Sequence, residues 1–321
     1  MLACRFWHRV SLRRPLHFTF NLSLKTKRRI IVRYLNHISI LLQYILPHHF
    51  LTGCIRGITR IRFAPFKNSA IKLFIRAFNV DMSIAQEENP SAYPDFNSFF
   101  TRPLKPDARP LSCAPGEVAC PVDGAISQLG EITSEGRIFQ AKGHDYSLEE
   151  LLGGSKEMAA LFKNGSFATI YLSPKDYHRI HMPLQGKLQE MVYIPGRLFS
   201  VSKFASEHVP RLFARNERLL NLFETEAGPM AMIMVGALNV AGMETVWAGN
   251  IPDKVNWEIK KWDYRDHATE KAIELSHGEE MGRFNMGSTV VLLYAHNRVK
   301  WNEAISAECP VQMGQHLAST R

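Results

Sequence analysis

Ser288 is the residue whose surroundings most invite chemistry. It lies in Met281-Gly-Arg-Phe-Asn-Met-Gly-Ser-Thr-Val-Val-Leu-Leu293, with Gly287 directly before it and a run of β-branched and apolar residues directly after. A serine hydroxyl is a weak nucleophile until a base takes its proton. Glycine opens backbone shapes closed to other residues, so the Gly287 carbonyl can be turned toward the serine oxygen. That arrangement suits a chain attacking its own Gly287–Ser288 bond. It equally suits a plain turn entering a strand, which the residues from Thr289 to Tyr294 predict.

Such an attack needs a base and a group to orient it. Asp123 stands in Cys120-Pro-Val-Asp-Gly124, where an Asp-Gly turn is the ordinary explanation. His178 and His181 stand in Tyr171-Leu-Ser-Pro-Lys-Asp-Tyr-His-Arg-Ile-His-Met-Pro183. An H-x-x-H pair can bind metal, but no third ligand is evident, so no metal site is expected; each histidine also reads as a hydrogen-bonded loop residue. Pro195-Gly196 and Leu212-Phe-Ala-Arg-Asn-Glu-Arg218 complete the set, and the charges of the latter read equally as a solvated face. Asp, His and Ser in this order also fit a serine hydrolase. The G-x-S-x-G elbow of such enzymes is missing around Ser288.

Further segments join these: Phe96-Asn-Ser-Phe-Phe-Thr-Arg-Pro-Leu104, Gln140-Ala-Lys-Gly143 and Glu244-Thr-Val-Trp247. With them the chain resembles phosphatidylserine decarboxylase proenzymes of the bacterial, pyruvoyl-dependent type, from about residue 38 to the C-terminus. The family usually has leucine where this chain has Met286, a volume-conserving exchange. The resemblance implies a charge relay of Asp123, His181 and Ser288 that cuts the Gly287–Ser288 bond. Residues 1–287 then form a large chain and residues 288–321 a small one, whose first residue becomes a covalent pyruvoyl group, the pyruvate-type cofactor. It further implies a Schiff base between that group and phosphatidylserine, loss of CO2, and release of phosphatidylethanolamine in phospholipid biosynthesis. His178, close to His181 in sequence, is read as a proton donor or a substrate-positioning group. A heterodimer of the two chains, itself paired into a homodimer, is the implied assembly.

The elements that must position these residues can be read in outline. The net charge of +9 is unevenly spread: residues 1–80 hold fifteen Lys/Arg and no Asp or Glu, so the remainder carries −6. A basic arm attracts an anionic bilayer or a nucleic acid; the substrate class favours the bilayer and no nucleic acid. Residues 1–37 read as a basic extension resembling an organellar transit peptide. Residues 38–88 read as a helical membrane-association region. An interfacial helix over about residues 30–46, stopped at Pro47, runs into it, and it holds a second helix in which Ile71, Phe74, Ile75 and Phe78 share one face. An ordinary core-packing helix is the competing reading of that spacing. A proline-rich boundary from Asn89 to Pro110, with a helical piece at Phe96–Phe100, leads into residues 89–321, a catalytic domain.

Strands are predicted over residues 124–129, 167–172, 186–194, 230–240 and 289–294, and a helix start at Ser147 with Glu150 three residues on. The fold class is therefore α+β, with N-terminal amphipathic membrane-surface helices before a β-rich catalytic domain. Five cysteines without a C-x-x-C pair give no disulfide framework. The expected location is the cytoplasmic side of the cell membrane, held peripherally, with the mitochondrial inner membrane as the alternative. Two other functions fit parts of the pattern. A hydrolase would use the triad without cleavage, and a lipid-surface or nucleic-acid binder would need the basic arm alone.

Overall fold

The computed structural model describes residues 37–238, 242–251, 257–265, 272–287 and 289–321. The extension before residue 37, the start of the helix expected from residue 30, the end of the strand expected to reach residue 240, and Ser288 itself lie outside the described residues. Gln43–Arg321 forms one compact unit. The architecture is α+β, helices first and then a β-rich body.

Helix His37–Ile45 ends where Leu46 and Pro47 interrupt the backbone pattern. Pro47 also opens a helix that sequence reading missed, His48–Thr59. A proline that blocks one helix is well suited to start the next, because its fixed φ and missing N–H cost nothing there. Helix Ala64–Phe78 again carries proline in its first turn and ends at Asn79 in the left-handed conformation. Its face bearing Ile71, Phe74 and Ile75 packs on Val80, Tyr93, Phe96 and Phe99. Part of the amphipathic face is therefore core. Helix Phe96–Phe100 is capped by Asp95, whose carboxylate accepts from the Ser98 N–H at 2.8 Å.

The body is built on an antiparallel sheet. Among the described residues its order is Lys260–Asp263, Gly186–Ile194, Arg218–Thr225, Gly228–Val235, Thr289–Tyr294, Ser166–Tyr171, Gly124–Glu131 and Pro310–Val311, with Glu274–Leu275 also on Gly186–Ile194. Thr289–Tyr294 is buried at every position and paired on both sides, with Tyr171 and Val235 opposite Thr289. Burial on two faces explains why its sequence is a continuous apolar run rather than an alternation.

A second sheet joins Gly249–Asn250, Met243–Thr245, Glu280–Phe284 and Arg179–His181 in that order. Gly282 lies where a Cβ would stand 2.2 Å from the Glu244 carbonyl oxygen, so only glycine lets these strands close. The expected helix start at Ser147 is present as a full capping box with Glu150. Leu212-Phe-Ala-Arg-Asn-Glu-Arg218 is not a solvated face throughout: Asn216, Glu217 and Arg218 are buried. Arg218 opens a strand and donates to the Glu150 and Leu151 carbonyls, both at 2.6 Å. Gln140 has a similar stapling role, donating to the Ser206 and Val209 carbonyls and accepting from the Leu212 N–H.

Candidate active site

The strand that leads into Gly287 and the histidine segment are strand partners. Glu280 pairs with His181, Gly282 with Ile180 and Arg283 with Arg179, and the Phe284 N–H donates to the His178 carbonyl at 3.1 Å. The chain then leaves this sheet through Asn285, Met286 and Gly287 and enters the large sheet at Thr289. Met286 has φ +89°, a backbone region unfavourable for a side-chain-bearing residue. The permissive backbone expected of Gly287 is thus demanded one residue earlier, since Gly287 is not itself in the left-handed region. Asn285 is buried and held on several sides. It accepts from Asn97 at 3.0 Å, and its N–H donates to the Gly242 carbonyl at 2.9 Å. Glu244, paired with Arg283 at 2.5 Å, stands beside it.

His178 is fully buried, with the Phe100 ring 4.1 Å away between centroids. Its Nδ1 lies 2.8 Å from the Asp176 carbonyl. A carbonyl only accepts, so Nδ1 carries the proton and Nε2 is a bare lone pair. That Nε2 has no hydrogen-bond partner among the described residues and lies 3.9 Å from the point a Cβ on Gly287 would occupy. Burial pulls the ring's pKa down to about 3, against the opposing Asp176 carbonyl, and the Arg102 charge lowers it further.

His181 is differently placed. Its Nδ1 donates to the Gly278 carbonyl at 2.8 Å, so by the same logic Nε2 accepts from the Tyr177 hydroxyl at 3.0 Å. Burial lowers its pKa, while the Gly278 carbonyl, Glu280 and Asp123 pull the other way. Asp123 is buried and clamped: Arg109 donates to both its oxygens at 2.6–3.0 Å, and the Met313 N–H donates at 2.9 Å. Among the described residues Asp123 and His181 are not hydrogen-bonded to each other. They are neighbours through the backbone, since the His181 N–H donates to the Pro121 carbonyl at 2.9 Å.

Sequence reasoning missed Arg109, Tyr177, Asn285 and Arg102 as members of this site. Arg102 lay within a quoted motif, yet nothing in its spacing tells a buried arginine from an exposed one. Among the described residues no group of three or more His, Cys, Asp or Glu could hold a metal ion. The His178 Nε2 beside Gly287 and the buried Thr289 hydroxyl have no hydrogen-bond partner among the described residues.

The phosphatidylserine decarboxylase family model matches residues 96–319, and a second model, described as PSD, matches residues 38–79. A phosphatidylserine decarboxylase proenzyme of Pseudomonas putida is 55% identical over 280 residues, covering 87% of this chain and 96% of that protein. Its counterpart from Azotobacter vinelandii is 52% identical over 275 residues, covering 86% and 95% respectively. The chain belongs to the phosphatidylserine decarboxylase family. It is accordingly an enzyme, a carboxy-lyase.

Proposed function

We propose that this chain decarboxylates phosphatidylserine by means of a pyruvoyl group made from its own Ser288, after self-cleavage of the Gly287–Ser288 bond. The observation that carries the reading is the bare His178 Nε2 facing Gly287. Strain at Met286 supports it, because a residue held at positive φ beside the bond to be cut favours the rearranged product.

In the cleavage step His181 takes the Ser288 hydroxyl proton, and the serine oxygen attacks the Gly287 carbonyl carbon. The amide C–N bond breaks, its nitrogen receives the proton, and an ester joins the two parts; elimination then releases Gly287 as a free carboxylate and leaves a dehydroalanine, which water converts to the pyruvoyl group with loss of ammonia. For this, His181 Nε2 exchanges the Tyr177 hydroxyl for that of Ser288. The negative charge of Asp123 favours the protonated ring from across the Pro121 contact. A second reading has a specific observation behind it: His178 Nε2 has no partner among the described residues and lies 3.9 Å from the Cβ position of Gly287, so it serves as the base itself.

A pyruvoyl group supplies a carbonyl that condenses with the substrate amine and draws off the electron pair left by departing CO2. His178 suits the accompanying proton traffic. In the uncleaved chain burial keeps the ring unprotonated; in the cleaved protein, with the ring reached by substrate, Nε2 takes up a proton and delivers it to Cα after CO2 has gone. Thr289–Tyr294, locked between two strands, keeps the small chain in place after the cut, so the product is a heterodimer. Family resemblance extends this to a homodimer of heterodimers.

Membrane attachment belongs to the same reading. Among the described residues no single helix is long and apolar enough to cross a bilayer, though the bent pair His37–Ile45 and His48–Thr59 has the length and composition jointly. Ile45, Phe50, Ile58, Phe63 and Leu73 are exposed on or beside basic helices, Ile45 at 83% and Phe50 at 70%. Apolar side chains with flanking Lys and Arg suit the headgroup layer of an anionic membrane. The cytoplasmic face of the cell membrane is the proposed location, with the mitochondrial inner membrane as the alternative.

The test is Ser288→Ala in the full chain, with release of labelled CO2 from carboxyl-labelled phosphatidylserine in vesicles as the readout. Loss of both cleavage and CO2 release is expected. Decarboxylation surviving in this variant would overturn the reading.

A further inference from the structure

Arg102 is buried to 2% exposure, yet it forms no ion pair among the described residues. Of its guanidinium donors, one Nη2 bond to the Lys175 carbonyl at 3.1 Å is present, while Nε and Nη1 have no partner among the described residues. The other contact is the Phe99 ring, 5.5 Å from the guanidinium carbon. A buried cation with free donors is costly unless an anion completes it. The basic residues around the cavity of about 540 Å³ that Tyr171 lines offer no such vacancy. Lys142 is closed by Glu207 at 2.6 Å and Lys203 by Glu308 at 2.5 Å.

The place of Arg102 says which anion would complete it. Its Nη2 is held by the Lys175 carbonyl and the His178 ring by the next carbonyl, that of Asp176. The two side chains therefore hang from one turn, and the Phe100 ring that covers His178 lies two residues from Arg102. The segment carrying Arg102 also lines the cleavage motif. Arg179 donates to the Thr101 carbonyl at 3.0 Å, and Asn97 donates to Asn285 at 3.0 Å. A substrate whose Cα lies at His178 has two anionic groups near Arg102, a carboxylate and a phosphodiester. A cation on the carboxylate would stabilise the charge that decarboxylation must disperse, and so would slow the reaction. The phosphodiester keeps its charge throughout and suits the planar fork of arginine.

We propose that Arg102 is the residue that binds the phosphodiester of the lipid headgroup, fixing the substrate so that its Cα meets His178. This rests on the function proposed above. In the uncleaved chain the guanidinium is closed from solvent, so the cleaved protein is the form expected to bind.

The test uses the full-length protein after self-cleavage, with Arg102→Gln and Arg102→Lys. Glycerophosphoethanolamine is the binding probe, followed by calorimetry, with ethanolamine and inorganic phosphate as control arms. KM and kcat for phosphatidylserine in mixed micelles are measured alongside. Arg102→Gln should weaken the phosphodiester probe at least tenfold and raise KM by a similar factor, with kcat changing much less and ethanolamine binding unchanged. Arg102→Lys, which keeps the charge but loses the fork, should fall between. Equal affinity of wild type and Arg102→Lys or Arg102→Gln for the probe would overturn the assignment, as would a fall confined to kcat. Inorganic phosphate binding wild type as tightly as the phosphodiester would assign the site to free phosphate and overturn the lipid source. Should Arg102→Gln fail to fold or cleave, Arg102→Lys carries the comparison. Failure of the wild type to decarboxylate would sink the proposed function instead, which separates the two.

Discussion

The Nε2 of His178, without a partner among the described residues, lies 3.9 Å from the Cβ position of Gly287, while His181, three residues on, has both ring nitrogens engaged. The two histidines are therefore not interchangeable. The Tyr177 hydroxyl and Gly278 carbonyl hold one; the Asp176 carbonyl and a Phe100 ring hold the other.

On the proposed function this difference should separate maturation from turnover. His178→Ala should still yield the two chains but decarboxylate roughly a hundredfold or more slowly, the usual scale for losing a positioned acid–base group. His181→Ala should accumulate uncleaved chain. Gel-resolved cleavage and CO2 release on one preparation decide the matter. Uncleaved His178→Ala beside normally cleaved His181→Ala would transfer the base to His178.

The clamp on Asp123 gives a second expectation. Arg109→Ala leaves a buried carboxylate with only the Met313 N–H among its described partners. Breaking a buried pair on one side costs about 3–5 kcal/mol. Urea unfolding of Arg109→Ala in a Ser288→Ala background should show a loss of this size, and Arg109→Lys a smaller one. An unchanged midpoint would mean that solvent satisfies Asp123.

Backbone strain at Met286 can be tested by its relief. Met286→Gly accepts φ +89° freely, so any strain driving the cut is removed and cleavage should slow, by about tenfold for each 1.4 kcal/mol relieved. Met286→Leu should cleave like wild type. A pulse-chase of the uncleaved form measures both, and equal rates for glycine and methionine would show that the strain does not drive the reaction.

Acid should destabilise the uncleaved protein through His178. Burial holds its folded pKa at about 3, against the ordinary 6.5 of an unfolded histidine. Below about pH 6.5 the unfolded chain therefore binds a proton that the folded chain refuses, so stability falls as pH drops through that window toward 3. The contribution is about 1.4 kcal/mol per pH unit in mid-window. Comparing Ser288→Ala with Ser288→Ala/His178→Gln by chemical unfolding at several pH values should show a shallower slope in the double variant. Identical slopes would place a proton on folded His178.

Much of this was legible in the residues, for identifiable reasons. The strands at 186–194 and 289–294 match the expected limits, because the second is apolar on both faces and both are bounded by turn residues. The Arg218–Thr225 strand was hidden by charges whose burial depends on carbonyls of residues 150 and 151, distant in sequence. Helix His48–Thr59 was hidden by a proline read only as a stop. At the site, the motifs picked out Asp123, His178 and His181. Their partners Arg109, Tyr177 and Gly278 depend on tertiary approach, which spacing does not encode.

The central claim is that the chain cuts itself at Gly287–Ser288, and the intact mass of purified, denatured, active protein tests it most directly. Two masses are expected, corresponding to residues 1–287 and 288–321, the smaller with an N-terminus blocked by the pyruvoyl group. A single full-length mass from protein that actively decarboxylates phosphatidylserine would contradict it.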